Sequence, residues 1–91
     1  MLVRRIVGDS MLPTLKPGRL VIAKRRMHIL RPGDIVILEH AGLEIIKRVK
    51  AVRGHGKSRE VYVVGDNPIS STDSRSFGWL PHTALRAKVI L

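Results

Sequence analysis

Ile35-Val36-Ile37-Leu38-Glu39-His40-Ala41-Gly42-Leu43-Glu44-Ile45-Ile46-Lys47-Arg48-Val49-Lys50-Ala51-Val52 is the stretch that decides the fold class. Its first four residues are wholly apolar and rich in β-branched side chains, which predicts a strand buried on both faces. Ala41-Gly42 is a short connection, so Leu43 to Val52 is expected to return alongside as the second arm of a hairpin. On that arm Leu43, Ile45, Lys47, Val49 and Ala51 share one face, and Glu44, Ile46, Arg48, Lys50 and Val52 share the other. Lys47 is therefore the charged residue on the apolar face, whereas Arg48 and Lys50 stand where a solvated face wants charge. Lys47 either snorkels to the sheet edge or is a buried amine with an altered pKa.

Outward from the hairpin the chain keeps β character. Upstream, Arg31-Pro32-Gly33-Asp34 has turn chemistry. Arg19 to Arg25 reads as a strand, although Leu20, Ala23, Met27 and Leu30 would also fit a helical stripe. Leu2 to Val7 is a first strand ended by Gly8, and Gly8-Asp9-Ser10-Met11-Leu12-Pro13-Thr14 then sets a serine on a bend bracketed by glycine and proline. Downstream, residues 54 to 59 form a polar loop, Glu60 to Val64 a strand, and residues 65 to 78 a Ser-, Thr- and Asp-rich loop. Leu80 to Leu85 has room for one helical turn with Pro81 in its first turn, and Ala87 to Leu91 closes as a strand. The expectation is a mainly β fold of short, mostly antiparallel strands in a single small domain spanning residues 1–91.

Ninety-one residues allow one limited core. With no cysteine there are neither disulfides nor thiolate metal ligands. Seventeen Lys and Arg against seven Asp and Glu give a net charge of +10, and fourteen of the basic residues fall within the first fifty-nine positions, so the surface attracts polyanions or anionic lipid. The three aromatic residues, Tyr62, Phe77 and Trp79, are too few and too late in the chain for a base-stacking platform among that charge. No apolar run approaches the roughly 20 residues of a spanning helix, and residues 1–7 are too short for a signal peptide.

The chemistry points to Ser10 and Lys47. A serine needs a base to attack a carbonyl, and a lysine is a base only when neutral. His28, His40, His55 and His82 are scattered with no ligand-pair spacing, so no metal site is expected, and nothing supports a Ser-His-Asp triad. Asp34 and Asp66 read as turn residues that bond their own backbone.

Four ordered blocks carry a resemblance over almost the whole chain: Gly8 to Leu15, Gly33-Asp34-Ile35-Val36, Lys47-Arg48-Val49, and Gly65-Asp66-Asn67 through Ser71-Thr72-Asp73-Ser74-Arg75 to Gly78. They resemble the catalytic core of type I signal peptidases. The resemblance implies a mostly β, partly open barrel in which Ser10 is the nucleophile, Lys47 the general base and Ser71 the residue that orients the lysine. It further implies Asp73 and Arg75 as a supporting ion pair, Met11 and Pro13 at the substrate cleft, and no cofactor or metal. Gly8 stands where some members have an oxyanion-binding serine, which leaves the Ser10 backbone N–H to carry that role.

The family's N-terminal membrane anchor is not seen, so a soluble variant is expected, cytoplasmic or held peripherally to an anionic membrane surface by its charge. Among soluble relatives the chain resembles the maturation proteases that trim the leader of nickel-type superoxide dismutase. The implied activity is that of a serine endopeptidase removing a leader or signal peptide from a precursor protein, its partner, with no specific nucleic acid. Self-cleaving repressors of the DNA-damage response use a similar Ser/Lys pair. Only nine residues precede Ser10, so self-cleavage is the poorer fit. From a different class, the alternative is a non-enzymatic basic β-barrel module binding RNA or DNA.

Overall fold

Ala41 and Gly42 both take positive φ, 52° and 77°, the pair of conformations that lets a two-residue turn match the twist of its strands. The hairpin they close is the centre of the molecule. It joins β3 (Ile35–His40) to β4 (Leu43–Arg53), in register from His40 opposite Leu43 to Ile35 opposite Arg48. The structure is a computed structural model describing residues 1–26 and 29–91. Met27, part of the helical alternative, and His28 lie outside the described residues.

The other strands are β1 (Leu2–Arg5), β2 (Leu20–Lys24), β5 (Glu60–Val64), β6 (Leu80–Pro81) and β7 (Leu85–Val89). Together they form one open seven-stranded sheet in the order β1-β2-β7-β3-β4-β5-β6, antiparallel throughout, with β1 and β6 at its edges. Leu20–Lys24 is a strand, not a helix, because Val21 and Ala23 alternate into the core at 0% exposure. Val36, Ile37 and Leu38 are fully buried, so β3 has apolar surface on both faces as its composition demands.

Strict alternation along β4 fails at one point. Its pairing with β5 shifts between Val49, opposite Val63, and Ala51, opposite Tyr62, so Lys50 is an extra, bulged residue. Val52 is thereby returned to the face of Val49, and both pack in the cluster of Val36, Leu38, Val61, Val63, Leu80 and Leu85. Ala51, expected beside Val49, is displaced from that face.

Three further expectations are corrected. Residues 65–78 are not plain loop: they hold a 3-10 turn at Pro68–Ser70 and a helical turn α1 (Ser74–Phe77), whose Arg75 N–H donates to the capping Asp73 carboxylate. Leu80-Pro81 pairs with β5, so only His82–Ala84 makes a helical turn. The last strand runs Leu85–Val89, between β2 and β3, rather than along the final five residues.

Candidate active site

The turn bearing Ser10 is pinned from beneath. Met11 and Leu15, 1% and 3% exposed, sink into a second apolar cluster with Ile6 and Val21, against which Ile35, Ile46 and Val89 pack. Burying a side chain such as Met11 stabilises by about 2 kcal/mol. Gly8 enters the turn at φ 77°, with open space around its Cβ direction, so conformation rather than crowding requires glycine there. Ser10 is half-buried, and its backbone N–H has no hydrogen-bond partner among the described residues.

Ser10, Met11 and Lys47 line one cleft of about 310 Å³, together with residues 4–7 of the first strand and its extension and residues 44–46 of β4. Lys47 is 5% exposed, so it does not snorkel into water. Its Nζ donates to Ser71 Oγ at 3.1 Å, and Ser71 Oγ donates to Asp73 Oδ2 at 2.7 Å. Asp73 is 1% exposed and accepts from Arg75 Nε at 2.9 Å and from Gly65 N–H at 2.8 Å.

Desolvation lowers the Lys47 pKa; the Asp73 carboxylate opposes this and the Arg75 guanidinium adds to it. The cation that counts is therefore Arg75 from α1, not Arg48 or Lys50 from the same strand. Burial pushes the Asp73 carboxyl up, but hydrogen bonds from Arg75, Gly65 and Ser71 outweigh it and hold the group well below the usual carboxylate range.

Of the expected site residues, Ser10, Met11 and Lys47 meet at the cleft, and Ser71, Asp73 and Arg75 form a chain behind Lys47. Pro13 is exposed and is not among the residues lining this cleft. Ser10 Oγ and Lys47 Nζ are not hydrogen-bonded to one another among the described residues. His40 stacks on Phe77 with ring centroids 4.0 Å apart, and His82 Nδ1 lies 3.0 Å from the Arg59 carbonyl oxygen. Among the described residues no group of His, Asp and Glu has the arrangement to hold a metal ion.

The contacts of several residues around the site were not foreseen. Asp66 does not bond its own backbone; it grips Arg48 Nε and Nη2 at 2.8 and 2.7 Å and accepts from Thr14 Oγ1 at 2.6 Å. Asp34, in contrast, does accept from the nearby Arg31 N–H at 2.8 Å. Arg48 also donates to the Gly33 carbonyl at 2.7 Å, so the residue next to Lys47 ties three of the four sequence blocks together.

Asn67 N–H donates to the Ser10 carbonyl at 2.9 Å, and its Nδ2 donates to the Asp9 carbonyl at 3.1 Å. Gly65 is wedged between the two halves of the site: a Cβ there would overlap Ser71 Oγ and lie 2.6 Å from the Ser10 carbonyl oxygen. Ser74 is buried and donates no hydrogen bond to the lysine chain, accepting instead from Val63 N–H at 2.8 Å. The advance signal for these roles was membership of the ordered blocks, which carries no distances.

The family model for Peptidase S24-like proteins matches residues 1–75, a span that contains every side chain of this arrangement. This protein belongs to the Peptidase S24-like family. The chain matches no curated protein. As a Peptidase S24-like protein it has a serine-peptidase-type β fold, and its match ends after Arg75, so β6 and β7 lie beyond the matched span. Among the described residues no helix is long and apolar enough to cross a membrane.

Proposed function

We propose that this protein is a serine endopeptidase in which Ser10 attacks the peptide carbonyl and Lys47 is the general base. The observation that carries the reading is the near-complete burial of Lys47 beside a neutral hydroxyl, Ser71, in the cleft that Ser10 lines. Lowering its pKa raises the neutral fraction available to take the Ser10 proton. The same amine, once protonated, supplies the proton to the departing amine of the substrate. Water then attacks the acyl-enzyme, with Lys47 again as base. The free Ser10 N–H is the donor for the oxyanion. Asp73 and Arg75 hold Ser71, and Ser71 holds the amine.

The cleft suits an extended peptide. Ile6 bonds Arg19 and Gly18 across the β1–β2 side, so by alternation the backbone groups of Arg5 and Val7 face the cleft. On β4, Val49 bonds Gly33 and Asp34 on the β3 side, which turns the backbone of Glu44 and Ile46 the other way, and β5 pairs only from Arg48 onward. Two free strand edges thus border the site, and strand addition is the mode of binding they support. Small residues before the scissile bond are expected from the resemblance to signal peptidases.

The substrate class follows the same resemblance: an N-terminal leader or signal peptide on a precursor protein, with the leader of nickel-type superoxide dismutase as the specific candidate. The enzyme is cytoplasmic, and its charge of +10 provides for peripheral contact with an anionic surface. Incubation of leader-bearing precursors with wild-type, Ser10→Ala and Lys47→Ala proteins tests the proposal, with cleavage expected from the wild type alone. Equal cleavage by all three contradicts it. Mass spectrometry of the protein incubated alone reads self-cleavage separately. Titration with duplex and single-stranded nucleic acid at two salt concentrations tests the non-enzymatic alternative, which sequence-specific binding at near-physiological salt would favour.

A further inference from the structure

The cleft does not end where its apolar floor ends. Arg4 on β1 and Glu44 on β4 face each other across it, Nε to Oε1 2.7 Å, and both residues also line a second cavity of about 170 Å³. Leu2, Arg25, Glu39 and Arg86 complete that cavity. Arg86 is tied to Glu39 at 3.4 Å and donates to the Thr83 carbonyl at 2.8 Å. Both carboxylates of the cavity are therefore paired, each with one arginine. Arg25 has no hydrogen-bond or carboxylate partner among the described residues, which leaves the cavity one guanidinium in excess.

We infer that this second cavity is a specificity subsite for a carboxylate side chain of the bound peptide, taken by Arg25 together with the unused N–H donors of Arg4. Guanidinium groups present planar donor pairs that match a carboxylate. Glu44 lies three residues before Lys47 on β4, about 10 Å along a strand. An extended peptide advances at the same pitch, so the side chain that reaches the Arg4–Glu44 bar belongs to the third or fourth residue from the scissile bond. A basic side chain would find Glu44 and Glu39 already paired and would meet the repulsion of Arg25. The inference rests on the peptide-binding part of the proposed function and adds the charge that the substrate must carry.

Ser10→Ala protein with acetylated alanine-based octapeptides is the test, each peptide carrying Glu, Gln or Lys at one position in turn, with binding read by anisotropy at low and near-physiological salt. At a single position Glu should bind about 2–5-fold more tightly than Gln in low salt, with Lys weakest, and the preference should shrink as salt rises. Arg25→Gln should erase the preference and leave the all-alanine peptide unchanged, and Arg25→Glu should turn it towards Lys. Equal binding of Glu and Gln peptides at every position, absence of binding, or a Glu preference that survives Arg25→Gln overturns the inference. Cleavage of the same peptides by wild-type protein reads the peptidase proposal on its own. Cutting without a Glu preference would sink the subsite alone, and selective binding without cutting would count against the peptidase alone.

Discussion

Lys47 and Arg48 are neighbours on β4, yet the two faces of the strand treat their charges in opposite ways. Arg48 is met directly by a carboxylate, with Asp66 on two of its nitrogens, and its charge is fixed. Lys47 is met by a hydroxyl, and its nearest carboxylate, Asp73, stands one hydrogen bond further away with Arg75 already on it. Direct contact with Asp73 would hold the amine protonated, and no contact at all would leave it unoriented. A serine placed between the two orients without charging. The difference between the faces is thus one between a cation that braces the loops and a buried amine whose pKa is lowered.

Lys47→Arg should produce the largest effect, because a guanidinium stays charged at any working pH. Turnover should fall by at least ~10²-fold, with the protein folded by circular dichroism. Wild-type rate should rise with pH as Lys47 deprotonates, along a limb below the ordinary lysine value of about 10.4. A Lys47→Arg protein with wild-type turnover would show that the base lies elsewhere.

Gly65→Ala comes next, since its methyl group would press on the Ser71 hydroxyl and the Ser10 carbonyl together. A loss of about 10²-fold in turnover is expected from misplacing both halves of the site, with about 1–3 kcal/mol of destabilisation measured by urea unfolding. Full activity in this variant would mean that the spacing between Ser71 and the Ser10 turn is not set here.

Asp66→Asn breaks the brace without touching the amine. It should cost about 2 kcal/mol of stability and less activity than Gly65→Ala. Hydrogen bonds from Arg48 lower the Asp66 pKa, opposed by burial and helped by Thr14. The stabilisation is therefore complete above the unfolded carboxylate value of about 3.9 and is lost as pH falls from there through the folded value. In Asp66→Asn this acid-side contribution should vanish, while that of Asp73 remains.

The smallest expected effect has the opposite sign. Burial disfavours the charged form of Lys47, so the folded state binds its proton less tightly than the unfolded chain does. Stability from this group then rises with pH between its lowered folded value and about 10.4, and at neutral pH the buried amine is a net cost. Lys47→Met should remove that cost and raise neutral-pH stability by about 1 kcal/mol while abolishing turnover. A marked loss of stability would show that the lysine is chiefly structural.

What could be read in advance was local. Alternation along Leu43 to Val49 singled out Lys47, the wholly apolar Ile35 to Leu38 foretold burial on both faces, and the bend at Gly8 to Thr14 placed Ser10. Each rests on neighbours in the chain. The features that escaped depend on distant segments: the Lys50 bulge is defined only by the register with β5, and the partner of Asp66 lies on β4. Likewise, the need for glycine at position 65 arises from the backbone of residue 10. Residue type alone does not distinguish Ser71 from Ser70, Thr72, Ser74 and Ser76, and only the resemblance singles it out; in the fold the capped turn at Asp73 directs Ser71 and Ser74 inward and leaves the others exposed.

Whether Lys47 can serve Ser10 as a base is decided without any substrate by NMR titration of the Lys47 side-chain amine in the wild-type protein, assigned by the signal lost in Lys47→Arg. The expected midpoint lies below the ordinary lysine value of about 10.4, lowered chiefly by burial. A midpoint at or above that value would mean that the Asp73 carboxylate governs the amine, and Lys47 could not then be the base for Ser10.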